Sequence, residues 1–334
     1  MAEKIPVVAV TGPTAAGKTA FGIELARRFG GEIVSCDSMQ VYRGLPIGTA
    51  QPTEVELRQA PHHLISFLDW DVSFSVSDYV ELAGKTISEI YSRGKLPIVV
   101  GGTGLYARSL LRGFSFQENV RDEELRRELF RRAETEGIDV LCRELQQVDP
   151  VSAEQIHPNN VKRVVRAVEY CRLAGEPFSE QARRSQTAES PYRSLMLCVS
   201  YRDREKLYAR IDRRVDKMLE QGILEEAEIF YRFCKENGTP ATAAQAIGYK
   251  ELFPYFEQHV SLEEAVENIK RESRRYAKRQ ITWFRREQDA MFLYQDDWND
   301  PDELLKEGCR IVERFLQGKE PDVSAFREKE GECL

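Results

Sequence analysis

A glycine-rich loop near the N-terminus constrains this chain more than any other segment. The apolar run Val7–Val10 leads into Gly12-x-x-x-x-Gly17-Lys18-Thr19, and a segment with apolar residues at helical spacing follows as far as Phe29. A buried strand, a glycine-rich turn and a helix N-terminus together form a cradle of backbone N–H groups for an anion. Lys18 adds a positive charge, and the Thr19 hydroxyl can bind Mg²⁺. The sequence therefore predicts a phosphate or diphosphate site, and the motif leaves open which molecule carries it.

The composition excludes several classes of protein. The hydrophobic content of 42% and the charged content of 31% are those of an ordinary soluble protein, and no apolar run is long enough to span a membrane. The start of the chain lacks the pattern of a secretory signal, and the seven cysteines include no C-x-x-C pair, which favours reduced thiols in the cytoplasm. The net charge of −7 argues against coating nucleic acid through bulk charge, but a local basic face is compatible with it.

The first part of the chain alternates strands and helices. Strand-like runs at Val7–Val10, Gly31–Cys36 and Leu96–Val100 are each followed by a helical pattern, which predicts a parallel sheet flanked by helices over residues 1–117. Asp37 follows the second strand, so it should face the same crevice as Lys18. That carboxylate could act as a base, hold Mg²⁺ or cap a helix, and spacing alone leaves these roles open. The glycines after the third strand fit either a second anion contact or close backbone packing.

An all-helical insertion domain is predicted over residues 118–190, because that stretch is rich in Arg and Glu and contains no strand-like run. The core is expected to resume over residues 191–316, with basic C-terminal helices, and to end in a flexible tail over residues 317–334. Arg210 and Arg214 are one helical turn apart. If their face meets the crevice they can hold a leaving diphosphate; otherwise they pair with nearby aspartates.

The segment 270–286 is the most basic part of the chain, with eight cations against the single acid Glu272. Tyr276, Trp283 and Phe284 recur at helical spacing and are expected to pack inward. One helix would thus present a dense cationic surface anchored by aromatic side chains. On a chain of net negative charge, this surface indicates contact with phosphate backbones.

Several longer strings, found in one order over most of residues 5–290, resemble the bacterial tRNA dimethylallyltransferase family, also called tRNA isopentenyltransferase. They are Gly12-Pro-Thr-Ala-Ala-Gly-Lys-Thr19, Asp37-Ser-Met-Gln-Val-Tyr-Arg-Gly44, Ile47-Gly-Thr49, Pro61-His-His-Leu64, Gly101-Gly-Thr-Gly-Leu-Tyr106, Gln245-Ala-Ile-Gly-Tyr-Lys250 and Ala277-Lys-Arg-Gln-Ile-Thr-Trp-Phe284. The resemblance implies a P-loop NTPase-like α/β fold. It also implies transfer of the dimethylallyl group from dimethylallyl diphosphate to N6 of the adenosine 3′ of the anticodon, in tRNAs that read codons beginning with U, with release of diphosphate.

The resemblance further implies roles for individual residues. Asp37 is the expected general base, and Lys18, Thr19 and Arg214 are expected to stabilise the departing diphosphate together with Mg²⁺ on Thr19. The expected diphosphate-binding residues are Gly12, Pro13, Thr14, Ala15, Ala16, Gly17, Lys18, Thr19, Arg210 and Arg214. The expected tRNA-binding residues are Asp37, Ser38, Met39, Gln40, Thr103, Lys162, Arg163, Val164, Val165, Arg166, Gln245, Gly248, Tyr249, Lys250, Arg275, Lys278, Arg279 and Gln280.

The expected partners are therefore dimethylallyl diphosphate and the anticodon stem-loop of tRNA, whose target adenine must be flipped out to be reached. We expect a cytoplasmic monomer without membrane contact. An adenylate isopentenyltransferase acting on free AMP, ADP or ATP is the first alternative, but it would need neither the basic insertion nor the cationic helix. A P-loop small-molecule kinase is the second, and it predicts ATP turnover without prenyl transfer. A regulatory GTP switch lacks support because the sequence has no N-K-x-D motif.

Overall fold

The computed structural model describes residues 4–114, 122–187, 189–238 and 242–319. At its centre is a six-stranded sheet with the order β3-β2-β4-β1-β5-β6, and every neighbouring pair of strands is parallel. The strands are β1 (Ile5–Thr11), β2 (Gly31–Ser35), β3 (His62–His63), β4 (Leu96–Val100), β5 (Tyr192–Ser200) and β6 (Ala290–Tyr294). The predicted parallel α/β class is confirmed.

Fourteen α-helices lie in the described residues, and none of them is both long enough and apolar enough to cross a membrane. They are α1 (Lys18–Phe29), α2 (Glu54–Gln59), α3 (Val76–Ser92), α4 (Gly104–Leu111), α5 (Glu123–Thr135), α6 (Ile138–Val148), α7 (Pro150–Gln155), α8 (Val161–Ala174), α9 (Phe178–Thr187), α10 (Arg204–Glu220), α11 (Ile223–Asn237), α12 (Phe253–Phe256), α13 (Leu262–Arg285) and α14 (Pro301–Leu316).

Both faces of the sheet are buried, as the continuous apolar strands predict. Side chains alternate along β1, so Val8 and Val10 pack in one cluster with residues of α1 and α14. Val7 and Ala9 pack in the opposite cluster with residues of α3 and α4. This double covering fixes the sheet between two helical layers and leaves the carboxyl ends of its strands to carry a site.

Three details of the sheet and its connections go beyond the sequence analysis. His62 and His63 form the edge strand β3, where His62 pairs with Ile33 of β2. A strand of two residues is too short to produce an alternating pattern. The strand β6 was not predicted, although its five residues are all buried. The connection 44–78 contains α2, which begins with a capping box of Thr53 and Glu56.

The chain divides into two compact units, one made of Met1–Leu111 with Pro191–Leu334 and the other of Arg112–Ser190. The described residues of the second unit form α5 to α9 and no strand. Its core includes Leu129, Leu141, Leu145 and Val168. The predicted boundary between residues 117 and 118 and most of the predicted flexible tail lie outside the described residues.

Gly101, directly after β4, provides a test of how closely two strand ends approach. A Cβ atom at this position would lie 2.1 Å from the carbonyl oxygen of Cys36, which is backbone and cannot turn aside. We expect Gly101→Ala to lower the free energy of unfolding by about 3 kcal/mol. The matched control is Gly94→Ala, where φ is +69° but nothing lies within 4 Å, so only the left-handed backbone costs about 1 kcal/mol. Urea denaturation measures both, and equal losses would contradict the close contact.

Candidate active site

A cavity of about 420 Å³ lies beyond the carboxyl ends of β1, β2 and β4, within the first unit. Five segments that are far apart in sequence contribute to its wall: the loop before α1, the turn after β2, the loop 48–52, one face of α10, and α13 with the segment before it. Among its lining residues are Lys18, Thr19, Asp37, Arg214 and Gln280. The fold therefore brings the predicted phosphate loop and the predicted base into one crevice.

The phosphate loop has the backbone conformation of an anion cradle. Gly17 caps α1 with φ at 91°, and Ala15 also has a positive φ of 62°. These left-handed residues turn successive N–H groups toward one side of the loop. The Lys18 ammonium folds back over the loop and donates to the carbonyl oxygen of Pro13 at 2.7 Å. Together these features leave a site for an anion at the start of α1.

Four side chains from other elements hold this loop in place. The backbone N–H of Thr14 donates to Oε1 of Gln280 at 2.8 Å, and Nη1 of Arg214 donates to the Thr14 hydroxyl at 2.6 Å. Nε of Arg210 donates to the carbonyl of Ala15 at 3.1 Å, and Nε2 of Gln295 donates to the carbonyl of Ala16 at 3.0 Å. Arg214 lines the cavity, whereas Arg210 is exposed and does not line it. Arg210 therefore braces the loop instead of facing the expected diphosphate directly.

Two half-buried cations, Lys18 and Arg214, dominate the electrostatics of the site. Burial and, to a smaller extent, the neighbouring Arg214 lower the pKa of Lys18 to about 8, although the Asp37 carboxylate acts in the opposite direction. Burial also lowers the pKa of Arg214, again opposed by Asp37. Both cations are desolvated and only partly compensated by one carboxylate. A bound anion would supply the missing negative charge, so the site is built to receive one.

Asp37 is held by the turn that follows β2. Its Oδ1 atom accepts hydrogen bonds from the backbone N–H groups of Met39 at 2.8 Å and Gln40 at 3.3 Å, a local turn typical of Asp. The Ser38 N–H donates to the Thr103 hydroxyl at 3.1 Å, which fixes this turn to the loop after β4. The side chain of Gln40 donates to the carbonyl of Ala50 at 2.8 Å. The carboxylate is thus oriented by protein contacts before any ligand is bound.

A half-buried carboxylate supports another part of the cavity wall from behind. Glu226 on α11 accepts from the N–H groups of Ile47 and Gly48, and from the hydroxyl of Tyr249 at 2.6 Å. Burial, together with Glu226, raises the pKa of Tyr249 far above its usual value, so the phenol stays a donor. These bonds fix the loop that carries the cavity residues 48–50.

The glycine-rich turn after β4 packs closely against α13. A Cβ at Gly102 would lie 2.2 Å from Nε2 of Gln280, and one at Gly104 would lie 2.2 Å from Cδ1 of Trp283. The Gln280 amide also donates to the Gly102 carbonyl at 3.0 Å. Of the two interpretations that the sequence left open for this turn, the structure supports close backbone packing.

The predicted tRNA-binding residues lie in several different settings in the structure. Lys162, Arg163, Arg275 and Lys278 are exposed, Arg166 pairs with Glu169 at 3.1 Å, and Gly248 and Thr103 hold loops beside the cavity. Those that line the cavity are Asp37, Ser38, Met39, Gln40, Gln245, Lys250, Arg279 and Gln280.

Three of the predicted tRNA-binding residues have buried side chains. Val164 and Val165 are at most 1% exposed, and they pack in the core of the second unit. Tyr249 is fully buried with its hydroxyl bonded to Glu226 and to the carbonyl of Leu45. These three residues adjoin polar residues in the sequence, and the sequence motifs alone do not show which side chains are on the surface and which are in the core.

Sequence reasoning also missed residues of the cavity wall. Tyr276 was assigned to inward packing, yet it lines the cavity, and His62 lines it from β3. Burial raises the pKa of the Tyr276 hydroxyl well above its usual value, with Asp37 acting in the same direction. The spacing of four between Tyr276 and Gln280 is the signal that would have placed both on one face of α13.

The donor set of the cavity fits Mg²⁺ better than a softer metal. The Thr19 hydroxyl and the Asp37 carboxylate are hard oxygen donors that line the same cavity. Within the described residues, no group of three or more His, Cys, Asp and Glu side chains could hold a metal ion. A magnesium ion here would depend on phosphate oxygens of a ligand and on water for most of its ligands, as this ion commonly does.

The fold and the site define an α/β enzyme of the P-loop class. A family model described as IPP transferase matches residues 40–287, and one described as isopentenyl transferase matches residues 5–66. A tRNA dimethylallyltransferase of Lachnoclostridium phytofermentans is 46% identical over 92% of this chain and 97% of that protein. One of Bacillus subtilis is 47% identical over 84% of this chain and 88% of that protein.

Two solved structures are similar over nearly the whole chain. A full-length tRNA isopentenylpyrophosphate transferase from Bacillus halodurans aligns with a TM-score of 0.69 and 41% identity, covering 94% of this chain and 98% of that chain. A eukaryotic dimethylallyltransferase acting on tRNA aligns with a TM-score of 0.82 and 30% identity, covering 95% and 81%. The chain belongs to the IPP transferase family, and it is a prenyltransferase. The resemblance found in its sequence strings is confirmed.

The lowered pKa of Lys18 predicts how anion binding depends on pH. The protonated ammonium is the form that attracts diphosphate, and its pKa is about 8. Above that value binding must include uptake of a proton, so we expect the affinity for inorganic diphosphate to fall by about tenfold per pH unit.

Isothermal titration with inorganic diphosphate at fixed Mg²⁺, between pH 7 and 10, measures this dependence. The control is Lys18→Arg, which keeps its charge over the whole range and shares the ionisation of the ligand. Identical slopes in parent and variant would show that Lys18 is not the titrating group.

Proposed function

We propose that this enzyme transfers the dimethylallyl group from dimethylallyl diphosphate to N6 of the adenosine 3′ of the anticodon, in tRNAs that read codons beginning with U, releasing diphosphate. The observation that carries the proposal is that a braced phosphate loop and a fixed carboxylate, Asp37, share one cavity with the inner face of the basic helix α13. Relatives named for this activity match most of the chain. The reaction needs an anion site, a base and an RNA surface in that arrangement.

The phosphate loop stabilises the leaving group. As the bond between C1 of the dimethylallyl group and the diphosphate oxygen breaks, negative charge builds on the diphosphate. The loop N–H groups, Lys18 and Arg214 receive this charge from fixed directions, in a site that already lacks negative charge. Mg²⁺, when bound through Thr19 and phosphate oxygens, supplies further positive charge to the diphosphate. These cations therefore act most strongly in the transition state.

Asp37 accepts the proton of the attacking amine. The adenine N6 forms a bond with C1, and the proton it loses goes to the Asp37 carboxylate. Because Oδ1 accepts from two backbone N–H groups, Oδ2 is the proposed proton acceptor. The adenine must leave its stack to reach this depth, which the cavity walls around Ser38, Gln245 and Lys250 allow.

The exposed cations of α13 provide the surface for the anticodon stem-loop. Arg275 and Lys278 are exposed, while Arg279 lies at the cavity wall with its guanidinium 5.7 Å from the ring centre of Tyr276. In the second unit, Lys162, Arg163 and Arg166 are proposed to contribute further RNA contacts. This surface favours tRNA over a free nucleotide as acceptor, and nothing in the site favours the kinase alternative.

We further propose that the enzyme works in the cytoplasm as a monomer. The six cysteines in the described part of the chain form no disulfide with one another, which suits a reducing compartment. The phosphate loop, Asp37 and α13 are all contributed by one chain.

The direct test of the function is an acceptor assay. Labelled dimethylallyl diphosphate and Mg²⁺ are offered with unmodified tRNA, AMP or ATP, and label in each product is counted. We expect label in tRNA only. Label in AMP or ATP would support the adenylate enzyme, and hydrolysis of ATP without transfer of label would support a kinase.

A substitution of Asp37 can separate its proposed role as the proton acceptor from its role in holding the turn after β2. Asp37→Asn keeps an oxygen for the N–H groups of Met39 and Gln40 but cannot take a proton at neutral pH. We expect single-turnover transfer to slow by about a hundredfold, with tRNA affinity within about twofold of the parent because the turn is preserved. An unchanged rate would contradict the assignment of Asp37 as the base.

Reversing charge on α13 tests the RNA surface. We expect Arg275→Glu with Arg279→Glu to weaken binding of an anticodon stem-loop by at least about tenfold and to flatten its salt dependence, since fewer counterions are released. The control is Arg28→Glu on α1, an equally exposed arginine that lies outside α13. Fluorescence anisotropy between low and high salt measures both variants, and equal salt slopes would count against α13 as the RNA surface.

A further inference from the structure

Gln280, on the helix α13, forms hydrogen bonds both with the phosphate loop and with the turn after β4. Its Oε1 atom accepts from the backbone N–H of Thr14 in the phosphate loop at 2.8 Å. Its Nε2 atom donates to the carbonyl of Gly102, after β4, at 3.0 Å. The residue is 6% exposed, so both polar ends of the amide are used by the protein, in a largely buried setting. Breaking either bond without a replacement is costly at such a site.

Gln280 belongs to the same helix as the proposed RNA contacts. Arg279 precedes it directly, and Tyr276 lies one turn before it; both line the cavity. One turn further on, Trp283 packs against Gly104. The helix is continuous from Leu262 to Arg285, so a shift of its RNA-facing side moves Gln280 as well.

Thr14, in the phosphate loop, links Gln280 to Arg214. Its N–H is bonded to Gln280, and its hydroxyl accepts from Arg214, one of the two half-buried cations that await an anion. Any displacement of Arg214 or of the loop on binding of diphosphate would therefore reach Gln280 through Thr14. The chain of contacts thus runs from the diphosphate through Arg214 and Thr14 to the RNA-binding helix.

We propose that Gln280 is a positioning residue that couples occupation of the phosphate loop to docking of tRNA on α13. It touches neither reacting group in this role. Instead it sets the position of α13 relative to the loop, so that each substrate binds more tightly when the other is present. The inference rests on the proposed function, since it requires that α13 binds tRNA. Such coupling is reciprocal and commonly amounts to between about fivefold and 150-fold in affinity.

The experiment measures the affinity for a labelled, unmodified anticodon stem-loop with and without inorganic diphosphate and Mg²⁺, so that no chemistry occurs. For the parent we expect diphosphate to tighten RNA binding by at least about fivefold. In Gln280→Met, which keeps the size of the side chain but loses both hydrogen bonds, we expect this factor to fall to about one.

Gln295→Met is the matched control. Gln295 also holds the phosphate loop, through the carbonyl of Ala16, but it follows β6 and is not part of α13. This variant should bind diphosphate less tightly, yet at saturating diphosphate it should keep the coupling factor of the parent. Loss of coupling to the same extent in both variants would mean that any damage to the loop has this effect, and it would overturn the assignment.

Gly102→Ala tests the same connection without changing Gln280. The added Cβ would lie 2.2 Å from the Gln280 amide nitrogen and push it aside. We expect coupling to be lost as in Gln280→Met, with no further loss in the double variant. A coupling factor equal to that of the parent in Gln280→Met or in Gly102→Ala would overturn the inference while leaving the proposed function intact. A parent enzyme that fails to bind the stem-loop at all would overturn both.

Discussion

The partial desolvation of two positive charges, those of Lys18 and Arg214, is the constraint on which the arrangement of the site depends. Burial lowers the pKa of both Lys18 and Arg214, and the Asp37 carboxylate opposes this effect at both residues. The protein tolerates the cost because the surrounding bonds leave the cations little freedom: Lys18 is held by Pro13, and Arg214 by Thr14. Charge that is fixed and desolvated before binding needs no reorganisation during the reaction, which is the physical basis of its effect on a departing anion.

The helix α13 combines two roles that are usually separate. One side packs against the glycine-rich turn through Gln280 and Trp283, and this contact completes the wall of the cavity. Other side chains of the same helix, such as Arg275 and Lys278, are exposed cations. The enzyme has a net charge of −7, so under the proposed function its affinity for RNA depends on the local density of such cations and not on the total charge.

Part of the site could be predicted because a short, contiguous sequence motif specifies the backbone conformation there. The phosphate loop is specified by its own glycines, its lysine and the helix that follows, and the structure shows the expected conformation. Asp37 was expected in the same crevice because parallel strands end on one side of a sheet. The burial of Tyr249 and of the two valines of α8 could not be predicted, since whether a side chain faces a ligand or a core depends on contacts that are distant in sequence.

The sequence by itself determined the class of fold and the family, and it predicted the anion site and the base, because each is encoded in contiguous segments with their own chemistry. Only the tertiary structure decided which side chains hold that machinery in place. Gln280 lies 266 residues along the chain from Thr14, and Glu226 lies 179 residues from Ile47 in the loop that it supports. No periodicity joins such residues, because their proximity arises from packing of helices on the sheet, and a pairing of this kind has no signature in a single sequence.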